Sequence, residues 1–128
     1  MGKKIVITGG IGYIGTELCK IYSGYSWNDE IIVIDNRFIS ERVNQLRNWN
    51  MNFVHGDILD KDLIKKYCQD ADVVHHLAGI TAVPRVKSEA NEEKEKEIER
   101  VAKEGTQNIL DVISDKCKIV MPSTHVVY

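Results

Sequence analysis

The sequence predicts an α/β fold, a doubly wound parallel sheet of about five strands with helices on both faces. Three observations predict it. Short apolar, β-branched runs recur five times and alternate with segments of helical period. The first two of those runs, Lys3–Thr8 and Glu30–Asp35, read as strands covered on both faces. A glycine-rich loop follows the first run directly and opens the first helix. At 128 residues the chain is long enough for one domain and too short for two of ordinary size.

Each element has its own local reason. Lys3 to Thr8 (KKIVIT) is the first strand and stops at Gly9-Gly10. Tyr13 to Tyr22 carries Ile14, Leu18 and Ile21 at helical spacing, and Glu30 to Asp35 (EIIVID) is the second strand. Ser40 is placed to cap a helix through Arg47, with Glu41 in its first turn. Asn52 to His55 is the third strand. Asp60 is placed to cap a helix through Cys68, with Leu63, Ile64 and Tyr67 on one face, and Asp72 to Leu77 (DVVHHL) is the fourth strand. The longest helical stripe runs through Ile98, Val101, Ala102, Gly105, Ile109, Val112 and Ile113. Its first half, Glu92 to Arg100, is almost entirely charged and belongs in water, with Glu92–Lys96 and Glu99–Lys103 as favourable pairs. Lys118 to Met121 is the fifth strand.

Composition excludes several classes. Hydrophobic residues are 43% and charged residues 28%, ordinary for a globular domain and wrong for a disordered or fibrous chain. Lys plus Arg is 17 against 19 Asp plus Glu, a formal charge of -2, so bulk charge offers nothing to nucleic acid. No apolar run approaches the roughly 18 residues of a membrane span, and the start lacks a secretory layout, so no membrane partner and a cytoplasmic location are expected. Cys19, Cys68 and Cys117 are odd in number and far apart, which reads as reduced, mostly buried thiols. No metal site is expected. His75 and His76 are adjacent on a strand, so their side chains point to opposite faces and cannot share an ion. Cys19 has no visible base partner, and Trp27 and Trp49 read as partial lids of the core.

Parallel sheets of this kind bind ligands beyond the carboxyl ends of their strands. Those ends here are Thr8-Gly9, Asp35, Gly56-Asp57, Ala78-Gly79 and Ser123-Thr124, the small and polar residues a ligand edge needs. Thr8 to Gly15 reads TGGIGYIG, with Gly9, Gly12 and Gly15 at GxxGxxG spacing. Gly9 lets the chain turn out of the sheet, Gly12 lets a diphosphate approach the backbone, and Gly15 lets the helix pack closely. Amides at the helix start, Tyr13 and Ile14 among them, meet negative phosphates. Asp35 closes the second strand 20 residues past Gly15. A carboxylate there accepts hydrogen bonds from adenosine ribose hydroxyls and repels a 2′-phosphate, which favours NAD over NADP; Arg37 softens that preference. The other reading of the loop is a glycine-rich turn with no ligand.

These residues resemble the extended short-chain dehydrogenase/reductase family, nearest to its branch of NAD-dependent nucleotide-sugar epimerases and dehydratases. TGGIGYIG is similar to the family's opening, VIDN at Val33–Asn36 to its second strand end, and HGDILD at His55–Asp60 to its GDI segment. HHLAG at His75–Gly79, GTQNIL at Gly105–Leu110 and PSTHVVY at Pro122–Tyr128 resemble later segments in the same order. The resemblance implies a Rossmann-type NAD-binding domain over residues 1–128, truncated before the catalytic helix. It implies that Asn36 lies beside the ribose acid, that Asp57 and Ile58 contact adenine, and that Leu77, Ala78 and Gly79 lie beside the pyrophosphate and nicotinamide ribose. It also implies a nucleotide-sugar substrate, with transient oxidation of a sugar hydroxyl and hydride return. Thr124 aligns with the active-site Ser/Thr, and Val83-Pro84-Arg85 with a segment bordering the substrate pocket.

The sequence departs from the family in four places. No tyrosine is followed four places on by lysine, so the family's YxxxK pair is absent and the chain alone is expected to be inactive. His125 and Val126 stand where dehydratases carry Asp and Glu. Ala102 stands where the family usually has Asn. The chain stops after the fifth strand, and a piece of a longer enzyme is expected, with a homodimer across the uncovered edge as one assembly. The alternatives are a non-catalytic dinucleotide-sensing module and an NAD(P)-dependent reductase or dehydratase of the same family.

Overall fold

The computed structural model describes residues 2–25, 28–78 and 92–121. Strands β1 (Lys4–Thr8), β2 (Glu30–Asp35), β3 (Asn52–His55), β4 (Val73–His76) and β5 (Lys118–Val120) alternate with helices α1 (Tyr13–Tyr25), α2 (Ser40–Asn48), α3 (Lys61–Cys68) and α4 (Glu92–Leu110). The strands form one parallel sheet in the order β3-β2-β1-β4-β5. The order reverses at β1: β2 and β3 lie to one side, β4 and β5 to the other. A crevice therefore opens beyond the carboxyl ends of β1 and β4, where neighbouring connections leave toward opposite faces.

Two cores sandwich the sheet, sorted by the two-residue alternation of the strands. Ile5 and Ile7 of β1 join Ile31 and Val33 of β2 against Ile11, Cys19, Leu46 and Met51 on the α1/α2 side. Val6, Ile32, Ile34 and Val74 join Ile58, Ile64, Cys68 and Ile109 on the α3/α4 side. Each fully buried isoleucine contributes roughly 2 kcal/mol of transfer free energy, so both faces hold the sheet. The cysteines are free, with Cys19 and Cys68 buried and Cys117 half-buried. Among the described residues no helix is long and apolar enough to cross a membrane.

Asp60 caps α3 as its type predicts, its carboxylate accepting from the Leu63 amide at 3.2 Å. The cap predicted at Ser40 is corrected. The cap position of α2 is Ile39, extended at φ -119° and ψ 106°, and no side chain bonds the free amides there. Ile39 packs against the α1/α2-side core, and this burial starts the helix one residue before the hydroxyl could serve. Helix α4 ends at Leu110, so Val112 and Ile113 follow it in a turn yet still pack on the α3/α4-side core. On its exposed face Arg100 pairs with Glu97 at 2.8 Å and Glu104 at 3.6 Å.

Candidate functional site

A cleft of about 540 Å³ opens at the carboxyl ends of the strands. The loop and first turn of α1 line it with Gly9, Gly12, Tyr13, Ile14 and Gly15. The end of β2 supplies Asp35 and Asn36, the turn after β3 supplies Asp57 and Ile58, and the end of β4 supplies Leu77 and Ala78. The structure thus brings together every described residue that the sequence assigns to a cofactor. Gly79, Thr124, His125, Val126, Trp27 and the Val83-Pro84-Arg85 segment lie outside the described residues. Gly56, which the sequence places on the ligand edge, and Arg37 also line the cleft, as does Val101 of α4, which the sequence does not mark.

The loop is held by contacts that only glycine permits. Gly9 has φ +71°, and its amide donates to the Ile34 carbonyl at 2.7 Å. A Cβ on Gly9 would stand 2.8 Å from the Ala78 nitrogen, and one on Gly15 would stand 2.5 Å from the Gly9 oxygen. The start of α1 therefore lies directly on the turn. Tyr13 and Ile14 are the first two residues of α1, whose amides have no intrahelical acceptor, and both line the cleft at the positive end of the helix dipole. The Tyr13 side chain there is 87% exposed.

Asp35 is 4% exposed and does more than the sequence suggests. One carboxylate oxygen accepts from the Ile11 amide at 3.2 Å, the other from the Arg37 amide at 3.0 Å. It thereby anchors the glycine loop to the end of β2. With the Arg37 Nε these amides take three of its roughly four acceptor positions, and one remains for a ligand. The Arg37 Nε lies 3.5 Å from the same carboxylate, and its Nη2 stands 3.3 Å from where a Gly12 Cβ would be. Arg42 donates to the Ile11 carbonyl. Asp57 accepts from the Leu59 amide at 2.9 Å and stays exposed, while the Asn36 carbonyl accepts from His55 Nε2 at 2.9 Å.

Helix α4 closes the far side. Gly105 accommodates Ile58, whose Cδ1 would lie 2.3 Å from a Cβ there. Asn108 donates to the Ile58 carbonyl at 2.9 Å. Thr106 lies 3.1 Å from His76 Nε2. Three of the four GTQN residues thus hold the floor of the cleft, a role invisible to hydrophobic periodicity because two of them are polar. The histidines diverge as strand geometry requires: His75 meets the Tyr22 hydroxyl of α1 at 2.6 Å, and His76 meets Thr8 and Thr106. Burial lowers the pKa of both, and Lys118 lowers that of His75 further.

The donor set fits a dinucleotide: free amides for phosphate, a carboxylate with a spare acceptor position for a ribose hydroxyl, and apolar walls at Ile34, Ile58 and Val101 for a base. A family model described as the 3-beta hydroxysteroid dehydrogenase/isomerase family matches residues 6–127. A UDP-N-acetyl-alpha-D-glucosaminuronate decarboxylase of Bacillus cytotoxicus is 30% identical over 100% of this chain and 38% of its own length. A UDP-glucose 4-epimerase of Haemophilus influenzae is 36% identical over 62% of this chain and 25% of its own length. The chain therefore spans less than two fifths of either relative. A dTDP-glucose 4,6-dehydratase of Streptomyces venezuelae, solved with NAD bound, superposes with a TM-score of 0.67 at 26% identity, over 84% of this chain and 34% of that one.

Proposed function

The chain belongs to the 3-beta hydroxysteroid dehydrogenase/isomerase family, within the extended short-chain dehydrogenases/reductases, and from that premise we propose that it is the NAD-binding part of a nucleotide-sugar epimerase. One observation carries the reading: the glycine loop, Asp35, the Asp57-Ile58 turn and Leu77-Ala78 line a single cleft at the point where the strand order reverses. Tyr13 and Ile14 amides bind the diphosphate, Asp35 accepts from a ribose hydroxyl, and Ile58 flanks the adenine. Leu77, Ala78 and Gly79 border the nicotinamide ribose, and Thr124 orients the sugar hydroxyl. Bound there, NAD supplies the reversible oxidation of a sugar hydroxyl. Proton transfer falls to residues beyond these 128, because no YxxxK pair is present.

Calorimetric titration of the chain with NAD and with NADP tests this. Saturable NAD binding is expected, tighter than NADP. Asp35→Asn, which keeps one acceptor oxygen near the Ile11 amide, is expected to weaken NAD by about tenfold and to narrow the gap to NADP. No saturable binding of NAD sinks the reading. Epimerisation of UDP-glucose by the 128-residue chain alone would overturn the assignment of proton transfer to other residues.

A further inference from the structure

The dinucleotide reading leaves a buried histidine beside the cleft without a task. His76, at the end of β4, is 4% exposed. Its Nδ1 lies 2.8 Å from Thr8 Oγ1 and its Nε2 lies 3.1 Å from Thr106 Oγ1. The Thr8 hydroxyl accepts from the Ala78 amide at 3.1 Å and shares the Leu77 amide, also at 3.1 Å, with the Thr8 carbonyl. Both amides approach the lone-pair side of the hydroxyl, which directs its single proton outward, and Nδ1 is the acceptor within reach. The imidazole is then neutral, with Nδ1 bare and the proton on Nε2, which donates to Thr106. Donation runs one way, from the two amides through Thr8 and His76 to α4.

We propose that His76 is a positioning residue for the cleft: as the Nε2–H tautomer it draws the Thr8 hydroxyl proton toward itself, leaves the lone-pair side of Thr8 to the Leu77 and Ala78 amides, and so fixes the cleft floor against Gly9 and α4. A second proton on His76 dismantles this chain. Nδ1–H would meet a hydroxyl whose lone-pair side faces the two amides, and the hydroxyl proton would lose its acceptor. The groups facing His76 are uncharged: β1 presents Thr8 and α4 presents Thr106. The nearest titratable neighbour on β4, His75, points to the opposite face onto Tyr22, and β5 reaches only the His75–Val120 pair. Burial alone lowers the His76 pKa, with no neighbouring charge contributing among the described residues. The sign follows. A histidine held below its ordinary value is neutral in the folded state where the free side chain would be charged. The intact cleft is therefore fully present above about pH 6.5 and is lost as pH falls through the lowered value.

The inference shares its binding readout with the dinucleotide reading but not its tautomer readout. Long-range proton–nitrogen NMR spectra of the chain, recorded without cofactor, assign the imidazole tautomers. NAD titrations at pH 8 and pH 5 give the affinity ratio for the wild type and for His76→Gln, whose amide donates to Thr106 without titrating. The expected result is an Nε2–H tautomer, an affinity loss of about tenfold on acidification, and a change below about twofold in His76→Gln. An Nδ1–H tautomer overturns the proposal whatever NAD does, and so does an acid loss undiminished in His76→Gln. Should that variant not fold, the wild-type spectra decide: the His76 titration midpoint coincides with the affinity midpoint, or the proposal fails. Absence of NAD binding at both pH values overturns the dinucleotide reading instead, and the tautomer alone then decides this one.

Discussion

Gly9 carries two constraints at once, a φ of +71° and an Ala78 backbone that would lie 2.8 Å from any Cβ. A backbone atom cannot step aside as a flexible side chain can. Gly9→Ala is therefore expected to destabilise the fold by about 3 kcal/mol, read as a lower urea midpoint at unchanged slope. Gly24 is the internal control. A Cβ there meets nothing within 4 Å, and it lies in helix α1, so Gly24→Ala is expected to be neutral or to stabilise by about 0.5 kcal/mol. An equal loss in both variants would show that the loop geometry is not what distinguishes Gly9. At this scale the sequence reveals residue types with one evident use. Glycines at fixed spacing and an acid closing a strand can be read because turn geometry and ribose chemistry demand them. Thr8, His76 and Thr106 cannot be read, because 68 and 30 residues separate the partners: the parallel register brings Thr8 to His76, and the packing of α4 on the sheet brings Thr106. Asp35 was legible as a ribose acceptor and illegible as the anchor of the Ile11 amide, for the same reason.

Among the elements, α4 shapes the site from behind while barely touching it. Among its described residues Val101 alone lines the cleft, yet Gly105, Thr106 and Asn108 hold the segments that form the floor. Asn108 is 5% exposed and donates to the Ile58 carbonyl at 2.9 Å. Removing that amide leaves a buried carbonyl unpaired, so Asn108→Ala is expected to cost about 2 kcal/mol and to weaken NAD severalfold through a loosened Ile58 turn. Chemical denaturation and calorimetry on the same preparation measure both. A variant with wild-type stability would mean that water replaces the amide and that α4 does not fix the turn. The elements themselves were legible almost throughout, since burial on both faces leaves an apolar run at β1 and β2, the outer strands keep shorter apolar runs between turn residues, and the helices carry a period of 3.6. The misreading at α2 came from weighing a local hydroxyl preference over burial of Ile39, a tertiary contact that no local pattern carries.

Across the whole molecule the sheet is a shared wall between two cores, and one buried thiol sits in each. Cys19 belongs to the α1/α2 side and Cys68 to the α3/α4 side. Burial pushes both thiols up to about 12, so neither forms the thiolate that alkylation needs while the fold is closed. Cys117 is half-buried and is expected to react first. If every strand of β1, β2 and β4 contributes side chains to both faces, neither core can open without unseating the other. Alkylation followed by mass spectrometry across a urea series is then expected to give Cys19 and Cys68 the same opening free energy, within about 0.5 kcal/mol, equal to the global value. A markedly lower value at Cys68 would mean that the α3/α4 layer detaches by itself. The cleft floor that Thr106 and Asn108 hold would then open independently of the glycine loop. A cleft whose two walls unfold as one unit is what a site built across a strand-order reversal requires, because its ligand touches loops from both sides of that reversal.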